Sequence, residues 1–159
     1  MNSIRPEQEI VQDSGLVTEK LMGLAPSMIL VVEDEDFVRE VTCEVLLSAG
    51  YVVLRARTAA EAVRLFPWNG EGLQLLLTDV VLPGRSGQAL AEELRAISPG
   101  LKTIFISGYP EVQISTQGLH EAGTFYLPKP FSVEMLLGIV DAVLGGPERR
   151  MAKRAWSSG

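Results

Sequence analysis

The sequence predicts an α/β fold, an open doubly wound parallel sheet with helices on both faces. Three observations carry that expectation. Five short apolar runs lie between Met28 and Gly145, each is followed by a stretch with helical spacing, and the runs are apolar almost throughout. Continuous apolar strands are what burial on two sides requires, and strand-helix alternation implies parallel pairing, because a crossover must carry the chain back. Right-handed crossovers then leave an open sheet whose chemistry gathers at the carboxyl ends of its strands.

Residues 1–27 read as a loose N-terminal arm, broken by Pro6, Gly15, Gly23 and Pro26, with spacing for a short helix around residues 7–22. From Met28, "MILVV" is the first strand. After "EDE", the stretch "DFVREVTCEVLLSAG" places Val38, Val41, Val45, Leu46 and Ala49 at helical spacing, with Gly50 as the stop. Cys43 falls off that apolar stripe and reads as an unreactive thiol.

"YVVLRA" is the second strand. "TAAEAVRLF" is the second helix, opened by Thr58 with Glu61 at capping-box spacing and ended by Pro67. "LQLLLTD" is the third strand, and "SGQALAEELRAIS" the third helix, closed by "PG". "LKTIFIS" is the fourth strand and "EVQISTQGLHEAG" a weak fourth helix, with β-branched residues and Gly118 in its interior; it is expected to be the least stable helix and able to shift. "TFYL" and "SVEMLLGIVDAVLGG" complete the unit as fifth strand and fifth helix, giving one domain over 28–145 and a tail over 146–159.

Composition narrows the function. With 159 residues, 47% of them hydrophobic and 21% charged, the chain fits one globular domain with short extensions. One cysteine excludes an internal disulfide framework, and no Cys or His pair has zinc-ligand spacing, so a reducing compartment is expected. No run approaches the roughly 18 apolar residues of a membrane helix, and "MNSIRPEQEI" lacks the order of a signal peptide, so the expected location is the cytoplasm. A net charge of −6 and a pI near 4.8 argue against nucleic acid as a partner. The tail departs from this balance, with Arg149, Arg150, Lys153 and Arg154 close together; a solvated terminus is the plain explanation for such a run.

The residues that follow the strands are informative. Glu33, Asp34 and Glu35 follow strand one, Asp79 ends strand three, Ser107 ends strand four and Lys129 follows strand five. If those strands are neighbours, the groups meet on one rim. Carboxylates packed together raise one another's pKa, so Glu33, Asp34 and Asp79 call for a cation, and an all-oxygen set suits Mg²⁺, with Mn²⁺ as a substitute. A divalent cation, an ammonium, a hydroxyl and a carboxylate are the parts needed to place a phosphoryl group on Asp79. No separate base is required, since a carboxylate is already ionised at neutral pH, which accounts for the absence of a catalytic histidine.

Singly, each residue also has a structural explanation. Asp79 could cap a turn before Pro83-Gly84, Ser107 could cap a helix, Lys129 could be a surface lysine, and the acidic run could be a solvated helix start. Their joint placement after apolar strands favours the chemical reading. A phosphate- or flavin-binding module on the same sheet would want a Ser/Thr/Gly-rich loop after strand one, where this chain has three acids. A phosphatase with an aspartyl nucleophile would want D-x-D at the first strand, and the residue two after Asp79 is Val81.

"VVEDE", "LLLTDVVLPGRSG", "FISGY" and "YLPKPF", in that order, resemble the signature stretches of the receiver domain of two-component response regulators, over about Met28 to Gly145. The resemblance implies a (βα)5 flavodoxin-like sandwich with strand order 2-1-3-4-5. It implies that Glu33, Asp34, Asp79 and the backbone carbonyl of Val81 hold Mg²⁺, that Asp79 is the phospho-acceptor, and that Lys129 pairs with the phosphoryl group. Ser107 and Tyr126 are then the switch pair, Lys129-Pro130 a cis peptide, and Val81 and Tyr109 the positions that tune phosphoryl lifetime. Neither of the last two is suited to orient water, so slow self-dephosphorylation is expected.

The implied donor is a phosphohistidine on a sensor histidine kinase or a histidine phosphotransfer protein. His120, the only histidine, reads as a surface residue away from the rim. Self-phosphorylation and autodephosphorylation are the only reactions implied; an enzyme acting on other substrates is not. The output is a changed helix-four, strand-five and helix-five surface, a face that often dimerises in this family. With no output domain in the sequence, the expected action is through a downstream protein target or in a phosphorelay. "DVVLPGRSG" also resembles receiver segments of hybrid histidine kinases, and a non-phosphorylated interaction module is the remaining alternative.

Overall fold

The computed structural model describes residues 26–69, 72–108 and 122–145. Its elements are β1 (Met28–Val32), α1 (Asp36–Ser48), β2 (Val52–Ala56), α2 (Ala59–Asn69), β3 (Leu73–Asp79), α3 (Gly87–Ile97), β4 (Lys102–Ser107), β5 (Thr124–Pro128) and α4 (Val133–Leu144). The five strands form one parallel sheet in the order β2-β1-β3-β4-β5, which is the expected doubly wound, flavodoxin-like arrangement. The expected fourth helix, with Tyr109 and His120, falls outside the described residues, as do the arm over 1–25 and the tail over 146–159; α4 is therefore the expected fifth helix.

Alternation along the strands divides the interior into two cores. Leu30, Val32, Leu76 and Phe105 face one way and pack with Phe66 of α2 and Leu90 and Leu94 of α3. Ile29, Val31, Leu75, Leu77 and Ile104 face the other way and pack with Cys43 and Leu46 of α1 and Leu136 and Val140 of α4. Burial of side chains this large drives assembly at roughly 1.5–3 kcal/mol each. Between the layers, the buried Tyr51 hydroxyl donates to the Asp141 carboxylate, tying the start of β2 to α4.

Capping follows the sequence. The Thr58 hydroxyl accepts from the Glu61 amide at 3.1 Å. Ser86 and Ser132 cap α3 and α4 by accepting from Ala89 and Met135, each at 3.1 Å. Gly145 ends α4 in the left-handed region, φ 105°, where a side chain would be strained.

Two expectations are corrected. Pro67 does not end α2, which runs to Asn69; its missing N–H removes only a last-turn bond, where the helix needs it least. Of the expected apolar stripe along α1, Leu46 and Ala49 are buried, Val38 and Val45 are half-buried and Val41 is 43% exposed; Arg39, Thr42 and Cys43 complete the buried face, so Cys43 lies in the core and not off it. The guanidinium of Arg39 is accommodated there by hydrogen bonds to the Glu33 carbonyl and to Asp36. Among the described residues no helix is long and apolar enough to cross a membrane.

Candidate functional site at the carboxyl rim

The strand order places β1, β3, β4 and β5 side by side, and their carboxyl ends form a cleft of about 360 Å³. Glu33, Asp34, Glu35, Asp79, Val81, Ser107 and Lys129 line it. Register delivers them together: Asp79 pairs with Ile106 across β3 and β4, and Ser107 with Pro128 across β4 and β5. Of the candidate site residues read from the sequence, Tyr109 alone lies outside the described residues.

Asp79 is 6% exposed and its carboxylate lies 3.0 Å from the Lys129 ammonium. The same ammonium is 3.1 Å from Oε1 of the buried Glu33, so Lys129 bridges two carboxylates. Glu33 also accepts from the Glu35 amide at 3.1 Å. Oxygens of Glu33, Asp34 and Asp79 lie within 4.8 Å of one another, and Asp34 is exposed. Three carboxylate oxygens at that spacing, with one side open to water, match the donor set of a hard, partly hydrated cation such as Mg²⁺. The Val81 side chain is 70% exposed at the mouth of the cleft.

Burial first, then hydrogen bonding to Glu33, pushes the Asp79 pKa up to about 7 against the opposing pull of Lys129. Burial also pushes Glu33 upward, but hydrogen bonds with Asp79, the Glu35 amide and Lys129 outweigh it and hold this carboxyl below its ordinary value. Burial lowers and the two carboxylates raise the Lys129 pKa, with a net rise, so its charge is secure. The expectation that Asp79 is simply ionised at neutral pH therefore needs correction: without a cation beside it, a large fraction keeps its proton.

The backbone around Asp79 is tightly held. Its carbonyl accepts from the Thr78 hydroxyl at 3.0 Å, the Val80 amide donates to Ile106 at 3.0 Å, and the Gly87 amide donates to Val80 at 2.8 Å. A Cβ on Gly87 would stand 2.0 Å from the Asp79 carbonyl oxygen, so only glycine lets α3 start against the end of β3. On the far side, the Lys129 amide donates to Ser107 at 2.8 Å, and the Lys129-Pro130 peptide is cis. Tyr126, half-buried, sets its ring 5.5 Å from that of Phe105.

One contributor went unread in the sequence. Arg39, buried in α1, donates through Nη1 to the Glu33 carbonyl at 2.9 Å and through Nη2 to Asp36 at 2.7 Å, while Arg57 lies 3.3 Å from the same Asp36 carboxylate. It fixes the acidic loop that carries Glu33 and Asp34. The available signal was an arginine three residues after an aspartate at a helix start, a spacing that lets the two side chains meet.

Comparison with known proteins gives the family. The chain is 38% identical over 127 residues to the sensor kinase CckA of Brucella abortus, covering 79% of this chain and 13% of that protein. It is 32% identical over 127 residues to the DNA-binding transcriptional regulator NtrC of Rhizobium meliloti, covering 79% of this chain and 25% of that protein. The chain thus spans only a minor part of these curated relatives. Among solved structures, the receiver domain of the hybrid histidine kinase CckA matches with a TM-score of 0.65 and 36% identity, over 74% of this chain and 99% of that one. A CheY-like receiver domain protein from Methanospirillum hungatei matches with a TM-score of 0.68 and 31% identity, over 79% of this chain and 98% of that one. The family profile described as response regulator receiver domain matches residues 29–141. With that profile running from the second residue of β1 into α4, the conclusion is direct: this chain belongs to the response regulator receiver domain family.

Proposed function

We propose that the chain accepts a phosphoryl group on Asp79 from a phosphohistidine of a partner protein, in a reaction that depends on Mg²⁺. The observation that carries this reading is the buried Asp79 carboxylate, 3.0 Å from Lys129 and within 4.8 Å of oxygens of Glu33 and Asp34. Glu33, Asp34 and Asp79 would hold the cation, which when bound supplies positive charge that offsets the phosphoryl oxygens. An Asp79 oxygen forms the new P–O bond as the P–N bond of the phosphoimidazole breaks, and the imidazole leaves with the electron pair and takes a proton from water. Lys129, already shared between Asp79 and Glu33, pairs with a phosphoryl oxygen. Ser107 and Tyr126 form the switch, through which roughly −1.5 to −2 added charges alter the surface around β5 and α4. In this reading the chain is not an enzyme acting on other substrates; it carries out only its own phosphorylation and dephosphorylation.

The likeness to CckA in both sequence and structure favours a hybrid-kinase type of receiver, hence a phosphorelay with a histidine phosphotransfer protein as exchange partner. The test is transfer of labelled phosphate from a panel of autophosphorylated histidine kinases and phosphotransfer proteins. Label should enter the native chain with Mg²⁺, fail with a chelator, and fail on Asp79→Asn. Label retained by Asp79→Asn would refute the assignment.

A further inference from the structure

The outer side of α1 carries apolar surface that nothing among the described residues covers. Phe37 is 78% exposed and Val41 43%, and with Val38, Pro130 and Phe131 they line a groove of about 400 Å³ beside Lys129. The surface is also acidic. Among the described residues neither Glu35, at the groove's edge, nor Glu44, one turn beyond Val41, has an ion-pair partner. The only basic residue of α1 is the buried Arg39.

Residues 146–159 have the complementary pattern. In "PERRMAKRAW", read at about 100° per residue, Met151, Ala152, Ala155 and Trp156 fall on one arc and Arg149, Arg150, Lys153 and Arg154 on the other. Pro147 suits a first helical position, and Gly145 has already turned the chain out of α4. We propose that this segment folds back as an amphipathic helix on α1 and the groove, its apolar arc against Val38, Val41 and Phe131 and its basic residues facing Glu35 and Glu44.

The lengths agree. Helices α1 and α4 both follow strands and share one core, so both run away from the rim, and Gly145 lies near the far end of α1. The 13 residues of α1 span about 20 Å. A helix over residues 148–157 returns about 15 Å towards the rim, which carries Trp156 to the level of the Phe37–Val41 groove.

Disulfide trapping in the full chain tests the placement and requires no phosphoryl chemistry, so it stands apart from the phospho-acceptor assignment. Cys43, the only native cysteine, is buried. Under dilute oxidising conditions, Val41→Cys with Ala155→Cys, and Glu44→Cys with Ala152→Cys, should close within one chain at least about tenfold faster than Ile97→Cys with Ala155→Cys. Ile97 is 63% exposed on α3, across the sheet. High salt and Trp156→Ala should each erode that advantage. Equal rates for all three pairs, disulfide-linked dimers as the main product, or an advantage indifferent to Trp156→Ala would overturn the proposal. So would binding of the native chain to anionic lipid vesicles without any cross-linking advantage.

Discussion

Burial pushes the Asp79 pKa in the folded, metal-free chain up to about 7, against 3.8 for an ordinary carboxyl of this type. The folded state therefore binds more protons between those values, and stability falls as pH rises through that window. Asp79→Asn removes this cost. With a chelator present, the variant should melt on the order of 5 °C higher than the native chain at about pH 8, and the gain should vanish towards about pH 4, where both forms are uncharged. Thermal denaturation at the two pH values checks the sign; equal differences at both would show that Asp79 ionises normally. At the same scale, Mg²⁺ should raise the melting temperature of the native chain, and Asp34→Asn should remove most of that rise. Val81 offers no group to orient water, so the acyl phosphate should persist well beyond seconds, and Val81→Asn should accelerate its loss, as followed by release of labelled phosphate.

The elements show how much of the site could be read in advance and where reading stopped. Strands β1, β3, β4 and β5 end where their apolar runs end, so Glu33, Asp79, Ser107 and Lys129 were legible as rim residues from hydropathy alone. In helix α1 the apolar spacing found Leu46 and Ala49 but missed Thr42, Cys43 and the buried Arg39, whose guanidinium donates to the Glu33 carbonyl and Asp36. Apolar spacing cannot register a polar anchor. The close approach of α3 to β3 was equally hidden, since Gly87 looks like an ordinary helix opener until the Asp79 carbonyl is seen beside it. Gly87→Ala should cost about 1–3 kcal/mol by overpacking, measured by denaturant unfolding, and should also slow phosphoryl acceptance because the strain falls on the acceptor's own peptide. Tyr51→Phe, far from the rim, should cost a similar ~1–3 kcal/mol by removing a donor from the buried Asp141, and should leave acceptance unchanged.

At the scale of the whole molecule, the candidate site belongs to no single element; it exists because four strands end at the same height. A slip of one residue in β3 would turn Asp79 to the other face and replace it with a neighbour, whatever the remaining residues do. Arg39 extends that dependence into a helix. It reaches the Glu33 carbonyl across six positions of chain, and one residue inserted between them would swing the guanidinium by about 100° around α1, away from its partner. The acidic loop therefore behaves as a ruler. Substitutions within it should be survivable one at a time, while any change in its length should detach the carboxylates from the sheet that presents them.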